Sequence, residues 1–172
     1  MSETPHSRFS LLARIVEISN SNIQVENRLK YICDFLSRET HSDCVCIYRR
    51  DARGDGLAPW VSSCVEIEEC AGMDFVVRPG EGVAGKVARK RAPVFFPDVK
   101  ADPPTFAVPQ ELRDFTSILS VPVMDDVYLY GVMNFSSLAP ANYTEEDLKF
   151  LGSVATEVAD RKSTRLNSSH RL

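Results

Sequence analysis

The sequence predicts an α+β domain in which an antiparallel β-sheet is flanked by N-terminal and C-terminal helices. Three observations carry this. Apolar residues recur at helical spacing near both ends of the chain, from Phe9 to Leu36 and again from Leu148 to Val158. Between them lie short alternating segments separated by Gly, Pro and Asp-rich turns, the pattern of hairpins. Strands come in a run, not in alternation with helices, and this favours an antiparallel sheet over βαβ units.

Taken in order, Phe9, Leu12, Ile15 and Val16 mark a first helix, and Val25, Leu29, Ile32, Cys33 and Leu36 mark a second, with Ser21-Asn22 as cap and joint. Asp43–Arg49 alternates as a strand, residues 51–56 form a turn, and Leu57–Val65 is the hairpin partner. Met73–Arg78 is predicted as a further strand, ended by Pro79-Gly80. Val83–Arg89 is a short helix and Pro93–Phe96 a short strand whose proline suits a sheet edge. Asp98–Phe115, with Pro103, Pro104 and Pro109, is the longest irregular stretch, of the kind that forms lids or binding loops. Ser117–Met124 and Tyr128–Ser137 form a hairpin across Asp125-Asp126, with Tyr128, Tyr130 and Met133 expected as core. Thr144 caps a last helix that carries Glu145, Glu146 and Asp147 in its first turn, where they complement the helix dipole.

Composition narrows the function. The chain has 172 residues and a net charge of −4, from 20 basic and 24 acidic side chains. A net acidic domain does not bind nucleic acid or anionic membranes through bulk charge. No segment has the length of a membrane span and residues 1–10 lack a signal-peptide core, so a cytoplasmic protein is expected. The five cysteines, Cys33, Cys44, Cys46, Cys64 and Cys70, show no Cys-x-x-Cys spacing, and an odd number in such a protein suggests reduced thiols. Cys33 falls on an apolar helix stripe. Cys44 and Cys46 share one face of a strand, where core packing or an oxidant-sensing or soft-metal pair are the alternatives.

Four spaced segments carry a family resemblance. They are Arg78-Pro-Gly-Glu-Gly-Val-Ala-Gly-Lys-Val87, Phe96-Pro-Asp-Val99, Ser117-Ile-Leu-Ser-Val-Pro-Val123 and Tyr130-Gly-Val-Met-Asn-Phe-Ser136. In order and spacing they resemble the GAF family, over roughly Ser10 to Ala159. The resemblance implies a GAF-like fold, related in outline to profilin and PAS folds. A sheet lies between terminal helices and a helix-and-loop lid that covers its other face. It also implies a sensory domain that binds a small molecule and regulates an attached output domain. Histidine kinases, diguanylate cyclases, transcriptional activators and a phosphotransferase are the outputs that accompany such domains. The domain division expected is an N-terminal tail at 1–9, the GAF domain at 10–159 and a non-native or disordered tail at 160–172. Residues 160–170 resemble the translation of a sequencing adapter, so the natural sequence is expected to stop at Ala159 inside an unfinished helix. That helix is expected to expose an apolar stripe of Leu148, Leu151, Val154 and Val158 that needs a partner. Setting 160–172 aside leaves 16 basic against 23 acidic residues, a charge of −7.

Candidate site residues follow from the lid and its flanks. Asp98 either bonds to loop amides or makes a polar contact to ligand. Arg113 pairs with Asp114 or turns inward toward a carboxylate or phosphate. Phe106 and Phe115 stack on a ring or plug the pocket, and Ser117 opens the strand beside them. Gly80, Gly82 and Gly85 superficially resemble a phosphate loop, but the segment lacks the Lys-Ser or Lys-Thr ending and sits among antiparallel strands. The structural reading gives Gly80 and Gly82 positive φ at a tight turn and lets Gly85 permit close helix packing.

Cofactors are not favoured. His6, His41 and His170 lie outside residues 83–123, so a haem ligand is missing from the pocket region, as is a cysteine for a bilin. The cyclic-nucleotide signature of some relatives is not recognisable, and no metal site is expected. Some free-standing GAF proteins reduce free methionine sulfoxide, using one cysteine in a Gly-x-Gly-Val-Cys-Gly loop and another before the final hairpin. Here the first position is Ala84, and residues 98–116 hold no cysteine. A thiol nucleophile would have to be Cys70 or Cys64. The expected function is therefore a non-catalytic sensor, homodimeric through its terminal helices. A purely dimerising GAF domain and, further off, a methionine sulfoxide reductase are the alternatives.

Overall fold

The structure is a computed structural model that describes residues 5–51, 53–64, 76–99, 101, 114–140 and 143–169, with side chains from Arg8 to Asp160. Its described elements run α1 (Pro5–Asn20), α2 (Val25–Glu39), β1 (Cys44–Arg50), β2 (Leu57–Ser62), α3 (Gly82–Lys90), β3 (Val94–Phe96), β4 (Ser117–Met124), β5 (Leu129–Ser137) and α4 (Glu145–Ser169). The strands form one antiparallel sheet in the order β2-β1-β5-β4-β3. The α+β class and the antiparallel sheet flanked by N- and C-terminal helices are as the sequence predicts, and the short strand after Pro93 lies at the edge of the sheet.

One face of the sheet carries the main core. Val45 and Ile47 of β1, Leu119, Val121 and Val123 of β4, and Met133 and Phe135 of β5 alternate toward α1, α2 and α4. The helices answer with Ile15, then Leu29, Ile32, Cys33 and Leu36 at helical spacing, then Leu151, Val154, Ala155 and Val158. Burying each large apolar side chain contributes roughly 1.5–3 kcal/mol.

The joint between α1 and α2 departs from expectation. Ser21 does not cap α2: its hydroxyl and its N–H both donate to Ile18 O, so it closes the last turn of α1. The residue before α2 is Gln24, which makes no side-chain cap bond. Buried Arg28 then reaches back from α2, donating Nη1 to Ser19 O and Ser21 O at 3.2 and 3.3 Å. A cation placed against the carbonyl end of a helix satisfies groups that lack partners within it.

Hairpin turns are built by aspartates. Asp51 Oδ1 accepts from the N–H groups of Asp55 and Gly56, and Gly54 supplies a positive φ of 75°. Asp125 Oδ1 accepts from Val127 and Tyr128 N–H, and its Oδ2 accepts from Tyr130 Oη at 2.5 Å. Tyr128, expected in the core, is exposed and stacks on Tyr130, because the turn lifts it off the sheet.

The cap of α4 is as predicted. Thr144 Oγ1 donates to Asp147 Oδ2 and accepts from Asp147 N–H, and Thr144 N–H donates to the same carboxylate, a reciprocal capping box. Its stripe is not exposed, however. Leu151, Val154 and Val158 are buried against β4 and α1, so the helix finds its apolar partner within the chain. The α4 backbone also continues through Ser169 past Ala159, in a stretch that contains no Gly or Pro to stop it. Strand β2 ends at Ser62, short of the expected Val65. Of the strand predicted over Met73–Arg78, residues 73–75 lie outside the described residues, and Val77 forms a single bridge to Leu57. Among the described residues, no helix is long and apolar enough to cross a membrane.

Candidate functional site

The opposite face of the sheet is where polar side chains are buried. Strand register places residues in rows across it. One row runs Val94–Ser120–Asn134–Cys46–Ser62, and the next runs Phe96–Ile118–Ser136–Cys44. A third joins Pro122, Val132 and Tyr48. Apolar members of these rows pack with Leu57, Val77 and the inner residues Ala84 and Val87 of α3, which lies over this face. Among them sit Ser120, Asn134 and Ser136, exposed by only 0%, 9% and 6%. Ser120 Oγ donates to Asn134 Oδ1 at 2.5 Å. Polar groups survive such burial only with partners or with solvent or ligand beside them.

The roof begins at the glycine turn. Gly80 and Gly82 have φ of 95° and 54°, the left-handed region that glycine tolerates, as the sequence predicts. Gly85 permits a close approach, although to the turn more than to the sheet: a Cβ there would lie 2.2 Å from Arg78 O. The turn is held by Gly80 N–H to Gly85 O at 2.7 Å, Glu81 N–H to Arg78 O at 2.9 Å, and Arg78 N–H to Glu81 Oε2 at 3.0 Å. Residues 80–85 match the letters G-x-G-x-x-G. A dinucleotide loop nevertheless needs a parallel strand–turn–helix unit, and the sheet here is antiparallel throughout. From α3, Lys86 reaches Phe96, its ammonium lying 4.7 Å from the centroid of the ring.

The cysteines correct one expectation. Cys44 and Cys64 form a disulfide, with Cα atoms 5.5 Å apart, where reduced thiols were expected. The register explains it. Cys46 is opposite Ser62, so continuing the ladder by two residues sets Cys44 opposite Cys64. The Ser62 hydroxyl lies 3.4 Å from Cys44 Sγ and 3.2 Å from Cys64 Sγ. Cys33 and Cys46 remain buried thiols, Cys33 in the helix-side core and Cys46 on the polar face, so Cys44 and Cys46 do share a face.

The predicted site residues scatter. Asp98 follows β3 at the rim of this face, half-buried, with Val99 N–H donating to Thr116 O beside it. Phe115 packs against the cluster beneath α3. Ser117 is fully buried, but it alternates with Leu119 toward the helix side and donates Oγ to Ala139 O at 2.6 Å. Phe106, Arg113 and most of the lid lie outside the described residues. Sequence reasoning passed over Ser120, Asn134, Ser136 and Lys86. The signal was present: Asn134 and Ser136 alternate with buried Met133 and Phe135 in a central strand, where both faces are covered. Among the described residues, no group of three or more His, Cys, Asp or Glu side chains could hold a metal.

Among the described residues, a carboxyl with a lowered pKa lies away from this face, at Asp125. Its carboxyl is held below the ordinary 3.8 by the Tyr128 N–H, then by the Tyr130 hydroxyl and the Val127 N–H, with a smaller contribution from Arg91.

These features define an α+β domain with a two-sided sheet, one side a helix-packed core and the other a partly polar face under a short helix. The family profile of the GAF domain matches residues 23–160, and the chain belongs to that family. The fold is similar to solved GAF domains of phosphoenolpyruvate-protein phosphotransferases. For that of Coxiella burnetii the identity is 18% and the TM-score 0.84, over 97% of this chain and 99% of that one. For that of Acinetobacter the identity is 20% and the TM-score 0.78, over 94% and 95%. It is also similar to a free methionine-R-sulfoxide reductase of Neisseria meningitidis solved with its substrate, at 22% identity and a TM-score of 0.78, over 97% and 95%. Among proteins of curated function, none matches.

Proposed function

We propose that this GAF domain is a non-catalytic sensor that binds a small molecule on the polar face of its sheet and regulates an attached output domain through its terminal helices. The observation that carries this is the buried polar set Ser120, Asn134 and Ser136 beneath α3, at positions where a sheet used only for packing would carry apolar side chains. The phosphotransferase GAF domains among its structural neighbours are consistent with a regulatory role. A non-catalytic reading also fits Ala84 in the glycine loop, where the methionine sulfoxide reductases described above carry a cysteine.

Signal transfer follows from the architecture. The same strands β4 and β5 present Ser120, Asn134 and Ser136 on one face, and Leu119, Val121, Met133 and Phe135 to α1, α2 and α4 on the other. A ligand that favours one twist or spacing of these strands biases how the helices pack, provided the two arrangements differ in ligand affinity. Pairing of helices between two copies is part of this proposal. Its support is the exposure of Phe9 on α1 and Tyr31 on α2, at 74% and 56%, in place of the α4 stripe.

Native mass spectrometry of the purified chain, before and after denaturation, tests the sensor. A small molecule released on denaturation, or a saturable thermal shift with one member of a metabolite panel, is the expected result. An empty protein with no shift across the panel would instead leave the dimerising alternative.

A further inference from the structure

The hydrogen bonds of the polar face specify what kind of ligand it takes. Ser120 Oγ uses the amide oxygen of Asn134, so the two N–H donors of Nδ2 remain for something else. No described hydrogen bond uses them, and none uses the Ser136 hydroxyl two residues along the same strand. Among the described residues, the enclosed side-chain polar atoms without a partner are Arg8 Nε and Ser19 Oγ. Asn134 Nδ2 and Ser136 Oγ are not among these, yet their residues are more than nine-tenths buried, so each donor needs a partner beside it.

Charge points the same way. The rows that form this face contain no carboxylate side chain. Asp98, beyond the end of β3, is already engaged by another group. Lys86 makes none of the described ion pairs and rests on the face of Phe96. Phe96 shares the row of Ile118 and Ser136, two strands and about 10 Å from Ser136. A lysine side chain that swings off the ring covers much of that distance.

Two neutral donors on residues whose Cα atoms are about 6.6 Å apart along one strand, with a cation on the helix over that face, match a group that has two acceptor oxygens and a single negative charge. We propose that the polar face is a carboxylate seat: a small organic acid sets one carboxylate between Asn134 Nδ2 and Ser136 Oγ, and Lys86 closes over it as counter-ion. This rests on the sensor reading above and deepens it by naming the ligand class.

The test uses the whole chain, labelled with nitrogen-15, and follows the assigned Asn134 side-chain amide in two-dimensional NMR. Acetate serves as the minimal probe, with succinate, pyruvate, 2-oxoglutarate and glutamate as larger acids. Dimethyl succinate and putrescine are the neutral and cationic controls. The expected result is a saturable shift of the Asn134 amide with at least one acid, and none with the ester or the diamine. Asn134→Asp, which keeps the shape and replaces the donors with a charge, weakens acid binding by about a hundredfold, and Lys86→Gln weakens it by about tenfold. Both variants must retain cooperative unfolding, and Lys86→Gln, a change at a half-buried position of α3, covers the case in which Asn134→Asp fails to fold. A shift of the Asn134 amide with putrescine or with a neutral metabolite, and with no acid, overturns the carboxylate seat while the sensor stands. Acid binding that Asn134→Asp and Lys86→Gln leave unchanged does the same. No saturable binding of any molecule, together with an empty native mass spectrum, overturns both.

Discussion

Two glycine-to-alanine substitutions in helices of this chain are predicted to act with opposite signs. In a helix interior, Ala is favoured over Gly by about 1 kcal/mol, because glycine loses more backbone freedom on folding. At Gly152 of α4, nothing lies within 4 Å of the added Cβ, so this gain is realised in full. At Gly85 of α3, the Cβ would sit 2.2 Å from Arg78 O, 3.1 Å from Gly80 N and 3.3 Å from Val77 Cγ1. Restoring ordinary contact means separating α3 from the turn by a little over 1 Å. The atoms in the way are backbone, and they are tied by the Gly80–Gly85 and Glu81–Arg78 hydrogen bonds. Overpacking of this kind costs about 1–3 kcal/mol, and each turn bond lost adds roughly 1 kcal/mol. The clash therefore outweighs the helix gain, leaving Gly85→Ala destabilised by about 1–4 kcal/mol. For a chain of this size that lowers Tm by roughly 2–16 °C, whereas Gly152→Ala raises it by roughly 2–4 °C. Urea unfolding followed by circular dichroism, with thermal melts alongside, measures both. If Gly85→Ala raised Tm as Gly152→Ala does, the close approach of α3 to its turn, and with it the placement of the roof over the polar face, would be wrong.

Further predictions concern the turns and the disulfide. The depressed pKa of Asp125 means that its charged form stabilises the β4–β5 turn. That contribution is present above the ordinary carboxyl value and is lost as pH falls through the lower folded value. Asp125→Asn should thus lower Tm at neutral pH, with the gap to wild type closing in acid; a gap independent of pH would contradict the turn geometry. The Cys44–Cys64 disulfide closes a loop of sequence separation 20, for which chain entropy gives about 3 kcal/mol. Reductant, or Cys64→Ser, should lower Tm by roughly 6–12 °C. Alkylation of denatured, unreduced protein should leave both residues unmodified, and their labelling would refute the bond.

Legibility in the sequence followed the range of the interactions. The Thr144 capping box, the Asp125 hairpin, the edge strand after Pro93 and the positive φ of Gly80 and Gly82 are set by neighbours in the chain, and local patterns revealed them. What escaped depended on register and on faces. Cys44 meets Cys64 only because the β1–β2 ladder is in one register, and residue spacing alone does not fix that. Asn134 and Ser136 look like ordinary strand residues until β5 is known to be central and covered on both sides. The α4 stripe was expected to be exposed because the helix was read as unfinished, and its partners in β4 and α1 are met only in the fold. Ser21 was misassigned because the same residue type that caps a following helix also closes a preceding one.

The central claim is that a ligand on the polar face is felt by the helices on the other. Hydrogen exchange measured with and without the ligand recovered from native mass spectrometry, or with the tightest-binding acid, tests it most directly. The account predicts slower exchange in β4 and β5 around Ser120, Asn134 and Ser136, together with altered exchange in α1 and α4. Slower exchange in β4 and β5 with α1 and α4 unchanged, or protection with no change in β4 and β5, would contradict it.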